Sequence, residues 1–281
     1  MSLASAMTKY FKLNTGATIP AVGLGTWLSE PEQEALKIGY RHIDTATIYG
    51  NEDSIGDAIQ ESDVPRSEIF LTSKLMVQFS QTRGSSPRSY KSLKKLKTDY
   101  LDMYYMHWPD ENGHGVADSL GTDYVVTWMA MKRIFKDTKK VRNIGVSNFT
   151  VGQLNRLLKN SEICPAATQV ELHPYDTRGD IRELAKDHGI HVTAYSPFGN
   201  LNPTYKDKLK EKGIKGRLID DPVIALGNSV IPKSVHAERI RENFTIIVLD
   251  VEDVFALSKL NKNAHFNTAE GTFGSDFAPK E

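Results

Sequence analysis

The sequence contains a single cysteine, Cys164, among 281 residues. One thiol cannot form an intramolecular disulfide, and such low cysteine usage is typical of proteins from reducing compartments. No apolar run approaches the ~20 residues that a membrane-spanning helix needs. Residues 1–10 lack the apolar core of a secretory signal. These absences predict a cytoplasmic protein with no membrane partner.

An excess of charge of either sign is also missing, because 35 lysines and arginines balance 35 aspartates and glutamates. Composition therefore gives no argument for a nucleic-acid partner. The sequence has no G-x-G-x-x-G motif after a strand, so the usual mark of a Rossmann domain is absent. It has no linker or low-complexity tract either, and we expect one domain spanning residues 1–281.

Short apolar, β-branched segments recur along the chain, and most end in a polar or glycine-rich turn. Most are continuously apolar rather than alternating, which indicates strands buried on both faces of a parallel sheet. The eight segments are 22–27, 40–46, 68–74, 100–108, 142–148, 168–174, 191–197 and 229–234.

Helix-like segments with polar faces lie between these strands, at 52–61, 124–138, 150–159 and 178–188. Such alternation, repeated eight times, favours a closed (β/α)8 barrel (the TIM barrel of the α/β class) over an open sheet. Residues 11–20 contain an Asn-Thr-Gly turn between strand-like pieces. They predict an N-terminal β-hairpin that caps the barrel floor.

Polar residues follow three successive predicted strands. Asp44, Lys74 and His107 lie at strand ends, and Tyr49 follows Asp44 in a short loop. Each alone has an ordinary explanation: a helix N-cap, a solvated cation, a structural histidine or a packing tyrosine. Together, at the end of a barrel where functional loops converge, they predict a catalytic site without a metal.

The chemistry of this set is coherent. A free phenol has a pKa near ~10, and an adjacent ammonium favours the phenolate and lowers that value. We therefore expect Lys74 to lower the pKa of Tyr49, and Asp44 to keep Lys74 charged. His107 would donate a hydrogen bond to a carbonyl oxygen as charge develops there. Protein side chains supply no hydride, so this reaction needs a nicotinamide.

Longer motifs carry a family resemblance. The stretches GLGTW (23–27), GYRHIDTATIYGNE (39–52), LTSKL (71–75), DYLDMYYMHWP (99–109), IGVSNF (144–149), QVELHPY (169–175), TAYSPFG (193–199) and IPKSVHAERIRENF (231–244) span most of the chain. They resemble the aldo-keto reductases, fungal members most of all. The resemblance implies NADPH-dependent reduction of aldehydes or ketones, with Tyr49 as general acid, Lys74 and Asp44 tuning it, and His107 orienting the carbonyl.

The resemblance also implies cofactor contacts. Ser147, Asn148 and Gln169 would hold the nicotinamide carboxamide, Tyr195 would stack on its ring beside Ser196, and Gly25 and Thr26 would follow the cofactor. Lys233, Ser234 and Arg239 would hold the adenosine 2′-phosphate, Val235 would be a further cofactor contact, and Glu242 and Asn243 would lie near the adenine. Two cations and a hydroxyl at the entry to a helix suit a phosphate, so NADPH is preferred over NADH.

By the same resemblance, Trp27, Trp108 and Phe198 form the walls of the substrate pocket. Trp27 and Trp108 could equally be core residues. Phe266, Phe273 and Phe277 lie in a C-terminal tail that folds over the barrel mouth in this family, although a frayed terminus is an equal alternative. A monomer is expected.

Three departures from the family pattern stand out. Met76 replaces a common tryptophan, and the first helix is confined to about 31–38. The region between 200 and 228 is shortened, so part of the helical cover of the barrel is missing there. Three explanations stay open: a replacement helix forms at 205–219, a partner chain covers the gap, or the sequence lacks exons.

Two alternatives to carbonyl reduction stay open. The shortened crossovers allow a catalytically weak NADPH-binding protein that acts through a partner. A lysine at a strand end also allows a Schiff-base lyase built on Lys74, although the SNF and IPKS motifs would have no part in that chemistry.

Overall fold

A computed structural model describes residues 9–28, 32–75, 88–109, 123–198, 228–245, 252, 255, 257 and 259–266. Its centre is a sheet of eight parallel strands that neighbour one another in chain order. These strands are β3 (Leu24–Gly25), β4 (His42–Asp44), β5 (Phe70–Leu75), β6 (Met103–Met106), β7 (Ile144–Ser147), β8 (Ala167–Glu171), β9 (His191–Tyr195) and β10 (Ser229–Ile231). Each lies within or overlaps one of the eight predicted segments, so the strand prediction is confirmed.

The two outer strands of this sheet meet and close it into a barrel. Val22, just before β3, forms a parallel bridge with Val230 of β10. The amide of Gly23 donates to the Val230 carbonyl at 2.8 Å, and the amide of Gly25 donates to the Pro232 carbonyl at 3.0 Å. A Cβ atom on Gly25 would stand only 2.8 Å from a backbone oxygen of β10, so this close seam requires glycine. The predicted (β/α)8 barrel is confirmed.

Helices cover the outside of the barrel. They are α1 (Glu32–Ile38), α2 (Glu52–Glu61), α3 (Arg88–Lys95), α4 (Tyr124–Asp137), α5 (Val151–Lys159), α6 (Gly179–Asp187) and α7 (Ala237–Phe244). Two of them begin at side chains that cap free backbone amides. Asp123 accepts from Val125 at the start of α4, and Thr150 and Gln153 form a capping box on α5.

The core between barrel and helices is built from the apolar faces of these helices. Trp128 of α4 and Leu154 of α5 are fully buried against the outward faces of β6 and β7. At ~25 cal/mol per Å² of apolar surface removed from water, such burial supplies most of the driving force for folding. The core therefore fixes the positions of the strands, and with them the positions of the side chains at the strand ends.

An antiparallel hairpin, β1 (Tyr10–Lys12) and β2 (Thr18–Pro20), covers the N-terminal end of the barrel. Its turn uses Gly16 at φ +89°, a conformation that glycine adopts without strain. Leu13 and Ile19 of the hairpin pack on Phe70 and Met103 at the beginnings of β5 and β6. The predicted floor cap is confirmed.

The structure tests only some of the predictions about the shortened segments. Helix α1 has only seven residues, Glu32–Ile38, as the short first crossover predicts. The replacement helix expected at 205–219, and Met76, lie outside the described residues. Among the helices that the structure describes, none combines the length and apolar character required to cross a bilayer.

Candidate active site

The C-terminal end of the barrel brings the four predicted catalytic side chains together. Asp44 ends β4, Lys74 lies near the end of β5, and His107 directly follows β6. Tyr49 ends a single 3-10 turn, Thr47–Tyr49, in the loop after β4. Because β4, β5 and β6 are adjacent parallel strands, their carboxyl ends open on one side of the barrel.

The Lys74 ammonium is the centre of the cluster. The side chain is fully buried, and its Nζ donates to the Asp44 carboxylate, to the Thr45 carbonyl at 2.9 Å and to the Tyr49 hydroxyl at 3.4 Å. An ammonium has three N–H donors, and these contacts use all three. The second carboxylate oxygen of Asp44 accepts from the Gln169 amide at 2.7 Å. A charged lysine is therefore fully satisfied in the middle of the protein.

The pKa values of the Asp44–Lys74 pair reflect burial and mutual attraction. Burial opposes a charged Lys74, but the Asp44 carboxylate and the Tyr49 hydroxyl outweigh it and raise the pKa of Lys74. Burial also raises the pKa of Asp44, against the opposing effect of Lys74 and Gln169. These two shifts favour different charge states for the pair. The hydrogen bonds decide between them, because an ammonium with three acceptors fits only the ionised pair.

The Tyr49 hydroxyl accepts from the Lys74 ammonium, and Tyr49 as a whole is half-buried. Burial raises the pKa of this phenol above its usual range, although the Lys74 ammonium lowers it. Our expectation of a net lowered pKa is therefore wrong for the protein alone. The lysine acts in the predicted direction, but removing a phenolate from water has the larger effect.

The His107 imidazole stands beside the phenol, with ring centroids 5.7 Å apart and planes at 76°. Burial and the nearby Lys74 ammonium lower its pKa well below the usual range, so the ring is neutral at neutral pH. Its Nδ1 is buried without a hydrogen-bond partner. A neutral imidazole has one N–H to donate, and among the described residues nothing occupies that donor.

The predicted nicotinamide ligands surround this cluster and bond to one another. The Asn148 amide donates to the His107 carbonyl at 3.0 Å, and its oxygen accepts from the Tyr195 hydroxyl at 2.8 Å. The Ser147 hydroxyl donates to the Gln169 carbonyl at 2.8 Å. The contact of Gln169 with Asp44 adds a structural function that the sequence did not indicate. One N–H of its amide is engaged by Asp44, which leaves the second N–H and the amide oxygen for a ligand.

Strained backbone marks the same end of the barrel. Leu28, Asn148 and Ser196 have positive φ angles of 55°, 63° and 47°. Each follows a barrel strand, and such conformations are uncommon for residues other than glycine, asparagine and aspartate. Thr26, next to β3, donates its hydroxyl to the Asp44 carbonyl at 3.0 Å and so joins the β3 end to the catalytic strand.

The residues predicted to bind the adenosine 2′-phosphate and the adenine lie just before α7 and on it. Lys233, Val235, Arg239 and Glu242 are exposed, Ser234 is buried, and Asn243 is half-buried. The Ser234 hydroxyl accepts from the His236 amide at 3.1 Å, just before the first turn of α7. Within the described residues, no carboxylate lies at ion-pair distance from Lys233 or Arg239. Two cations that have no carboxylate partner in the described part of the chain, beside a helix N-terminus, fit an anionic phosphate.

The predicted pocket walls, Trp27, Trp108 and Phe198, are half-buried at strand ends on this side of the barrel. Trp108 directly follows His107, and the two ring centroids are 6.4 Å apart. Aromatic side chains that keep part of their surface in contact with water can serve as the apolar wall of a ligand pocket. Their assignment to a substrate stays a prediction.

The C-terminal segment 259–266 is anchored at this end of the barrel. Phe266 is fully buried, its amide donates to both oxygens of Glu171 at 3.1 Å, and its ring stacks on His173 at 5.1 Å. His265 Nδ1 lies 3.2 Å from Glu171 and 3.1 Å from Asp176. We name Glu171, His173, Asp176 and His265 the C-terminal clasp. The frayed alternative is wrong for 259–266, whereas Phe273 and Phe277 lie outside the described residues.

No sequence motif indicated a function for the clasp residues. One local signal was available, because Glu171 comes two residues after Gln169 and therefore points to the same side of β8. No signal connected Glu171 with His265, almost a hundred residues further along the chain.

Comparison with known proteins agrees with this geometry. A model of the Aldo/keto reductase family matches residues 32–217. An uncharacterized oxidoreductase of Schizosaccharomyces pombe is 41% identical, with 97% of this chain and 94% of that protein covered. Aldehyde reductase YPR1 of Saccharomyces cerevisiae is 39% identical, with 89% and 90% covered.

Among solved structures, an aldo-keto reductase of Bombyx mori in complex with NADP matches with a TM-score of 0.77 and 30% identity, covering 96% of this chain and 99% of that one. The alignment with the Schizosaccharomyces pombe protein is 306 positions long, more than the 281 residues of this chain. That alignment therefore contains gaps in this chain, in line with the shortened segments that the sequence analysis identified.

Proposed function

The chain belongs to the aldo/keto reductase family, and on that premise we propose that it reduces aldehydes or ketones to alcohols with NADPH. The observation that carries the proposal is the hydrogen bond of the buried, Asp44-paired Lys74 ammonium to the Tyr49 hydroxyl, beside a neutral His107. When bound, NADPH supplies the hydride, which no side chain can provide.

The side chains of this protein move the proton and orient the carbonyl. The neutral His107 donates a hydrogen bond to the carbonyl oxygen and holds its carbon toward the nicotinamide site. Tyr49 gives its hydroxyl proton to the same oxygen as negative charge develops there. The Lys74 ammonium then stabilises the phenolate that forms, and Asp44 keeps Lys74 charged through the cycle. The reverse sequence oxidises an alcohol.

The residues around the cluster suit NADPH. Ser147, Asn148 and Gln169 would hold the carboxamide, and Tyr195, next to Ser196, would stack on the nicotinamide. Gly25 and Thr26 would border the cofactor where β3 ends. Lys233, Ser234 and Arg239 would hold the 2′-phosphate, with Val235, Glu242 and Asn243 beside the adenosine. The two cations without a carboxylate partner among the described residues support a phosphate in that position.

Several finer features belong to the same proposal. The substrate is a small carbonyl compound enclosed by Trp27, Trp108 and Phe198. Residues 1–281 form one barrel domain, which acts as a monomer in the cytoplasm. The single cysteine and balanced charge support that location and the absence of a nucleic-acid partner.

The Schiff-base alternative is poorly supported by the state of Lys74. A lysine that attacks a carbonyl must lose its proton, and enzymes achieve this by lowering its pKa. Here the pKa of Lys74 is raised, and its three donors are engaged. The weakly catalytic NADPH-binding alternative has no observation in its favour at the site.

The deciding experiment is NADPH oxidation measured against a panel of aldehydes and ketones, with Tyr49→Phe as the test variant. We expect turnover by the wild type and a loss of about 10²–10⁴-fold in kcat for the variant, with NADPH still bound. Tyr100→Phe is a matched control, because Tyr100 precedes β6 at the opposite end of the barrel. Full activity of Tyr49→Phe would remove Tyr49 as the acid. Tight NADPH binding without turnover of any substrate would favour the weakly catalytic alternative.

A further inference from the structure

The turn that carries Tyr49 is tied to the strand that carries Lys74 by one threonine hydroxyl. Thr47 Oγ1 donates to the carbonyl oxygen of Lys74 itself at 3.0 Å. The same hydroxyl lies 3.0 Å from the Ser92 hydroxyl of α3. Thr47 begins the 3-10 turn that Tyr49 ends. The residues that carry the phenol and the ammonium are thus linked twice: directly between their side chains, and through the bond from Thr47 to the Lys74 backbone.

The far side of this contact is buried and hydrogen-bonded. Ser92 and Ser73 are fully buried, and the Ser73 hydroxyl donates to the buried Glu52 carboxyl at 2.7 Å. Burial raises the pKa of Glu52, although the Ser73 and Ser92 hydroxyls favour its charged form. Helices α2 and α3 and strand β5 therefore meet through polar groups directly behind Lys74. Thr47 is the residue through which the Tyr49 turn joins them.

The contact between acid and ammonium needs such support. The distance from Lys74 Nζ to the Tyr49 hydroxyl is 3.4 Å, at the long end of the hydrogen-bond range. A small retreat of the turn would break it. Within the turn, the Tyr49 amide donates to the Ala46 carbonyl at 3.0 Å, which shapes the turn but does not fix it to β5.

We infer that Thr47 is a positioning residue, whose hydroxyl sets the distance between the Tyr49 phenol and the Lys74 ammonium; this inference rests on the proposed function. Without the hydroxyl, the turn moves away from β5 and the ammonium loses part of its effect on the phenol. The phenol then becomes a weaker acid, and proton transfer to the carbonyl oxygen slows. Binding of NADPH and of the carbonyl compound involves other residues and is preserved.

The test compares Thr47→Val, which has the same shape but no hydroxyl, with Thr47→Ser, which keeps the hydroxyl. We expect Thr47→Val to lower kcat by about 10-fold, since misplacement by 1 Å can reduce a rate by up to 10²-fold. The KM for the carbonyl and the Kd for NADPH should stay near the wild-type values. The alkaline limb of kcat/KM against pH should move to higher pH, because a phenol farther from the ammonium has a higher pKa. Thr47→Ser should restore both kcat and the pH profile.

Thr138→Val is the matched control, because the Thr138 hydroxyl donates to the Ile134 carbonyl at 2.7 Å at the end of α4. NADPH binding and thermal unfolding of each variant show whether it is folded. If Thr47→Val loses no more kcat than Thr138→Val, or if Thr47→Ser is as slow as Thr47→Val, the inference is wrong. The inference is also wrong if kcat of Thr47→Val falls while its pH profile is unchanged. A wild type without turnover would instead overturn the proposed function, and the inference with it.

Discussion

Two buried clusters of ionisable groups occupy the same end of this barrel and differ in what they leave available. The catalytic cluster contains Asp44, Tyr49, Lys74 and His107. The C-terminal clasp contains Glu171, His173, Asp176 and His265. Gln169, two residues before Glu171 on β8, contacts Asp44 of the catalytic cluster. Strand β8 thus contacts both clusters, through Gln169 in the catalytic cluster and through Glu171 in the clasp.

The contacts explain the difference. The Glu171 carboxylate accepts from the Phe266 amide, lies 3.0 Å from His173 and 3.2 Å from His265, and is covered by the C-terminal segment. In the catalytic cluster, the ammonium is satisfied, but the phenol is half-buried and the neutral imidazole is not bonded to any described group. Burial is common to both clusters, and the clasp too contains a group with a shifted pKa, His265. What distinguishes a candidate active site is a proton donor that substrate can reach.

The largest effect is expected from Lys74→Met, because Lys74 is the central residue of the catalytic cluster. The variant leaves the buried Asp44 carboxylate without its cation, a change that typically destabilises a protein by about 3–5 kcal/mol. It also removes the stabiliser of the phenolate, so kcat should fall by about 10²–10⁴-fold. Urea unfolding and NADPH oxidation measure the two effects.

The double variant Asp44→Asn, Lys74→Met separates stability from chemistry. With no buried charge left unpaired, it should recover much of the lost free energy of unfolding. It should not recover activity. Turnover near the wild-type level in either variant would show that Lys74 contributes to folding only.

A smaller effect is expected from Glu171→Gln in the clasp. The amide keeps one carbonyl oxygen but loses the charge that His265 and the Phe266 amide share. Losing a charge-assisted hydrogen bond typically lowers the free energy of unfolding by about 1.5–3 kcal/mol. We expect kcat of the folded variant to stay close to wild type in the NADPH assay. A collapse of kcat at unchanged NADPH binding would instead make the clasp part of the catalytic apparatus.

The barrel and the catalytic strand ends were predictable because their signals are local. Each strand is a continuous apolar run, and the hairpin turn at Gly16 follows from three neighbouring residues. Once the strands were located, the positions of Asp44, Lys74 and His107 at their carboxyl ends followed from the geometry of a parallel barrel. These inferences needed only the order of residues and the periodicity of secondary structure.

The rest depends on burial and on contacts between distant residues. The pKa of Tyr49 was predicted in the wrong net direction, because a sequence shows which charges are near but not how much water is removed. The clasp was missed because it joins Glu171 to His265 and Phe266 across most of the second half of the chain. Thr47 was missed for a related reason, since its bond to the Lys74 carbonyl arises only when the loop folds back on β5.

The smallest expected effect is a pH dependence of the free energy of unfolding that arises from the clasp. Burial opposes a charged His265, but the Glu171 and Asp176 carboxylates outweigh it and raise the pKa of His265, with Arg178 acting against them. His173 Nε2 lies 3.0 Å from the other oxygen of the same Glu171 carboxylate. A group whose pKa is higher in the folded state stabilises that state when protonated. This stabilisation is complete below the unfolded pKa near ~6.5 and is lost as the pH rises through the folded pKa.

His265→Gln should therefore be less stable than the wild type by about 1 kcal/mol in mildly acid solution, below the usual range for charged hydrogen bonds because the His265 side chain is partly exposed to solvent. The difference should shrink as the pH becomes alkaline, because the wild-type imidazole then loses its charge. Urea unfolding at a series of pH values measures this difference. His188→Gln, an exposed histidine bonded to the Leu184 carbonyl, serves as the matched control. A difference that is constant or grows with pH would mean that the clasp does not hold His265 as a cation. The contrast with the catalytic cluster would then rest on the covered Glu171 carboxylate alone.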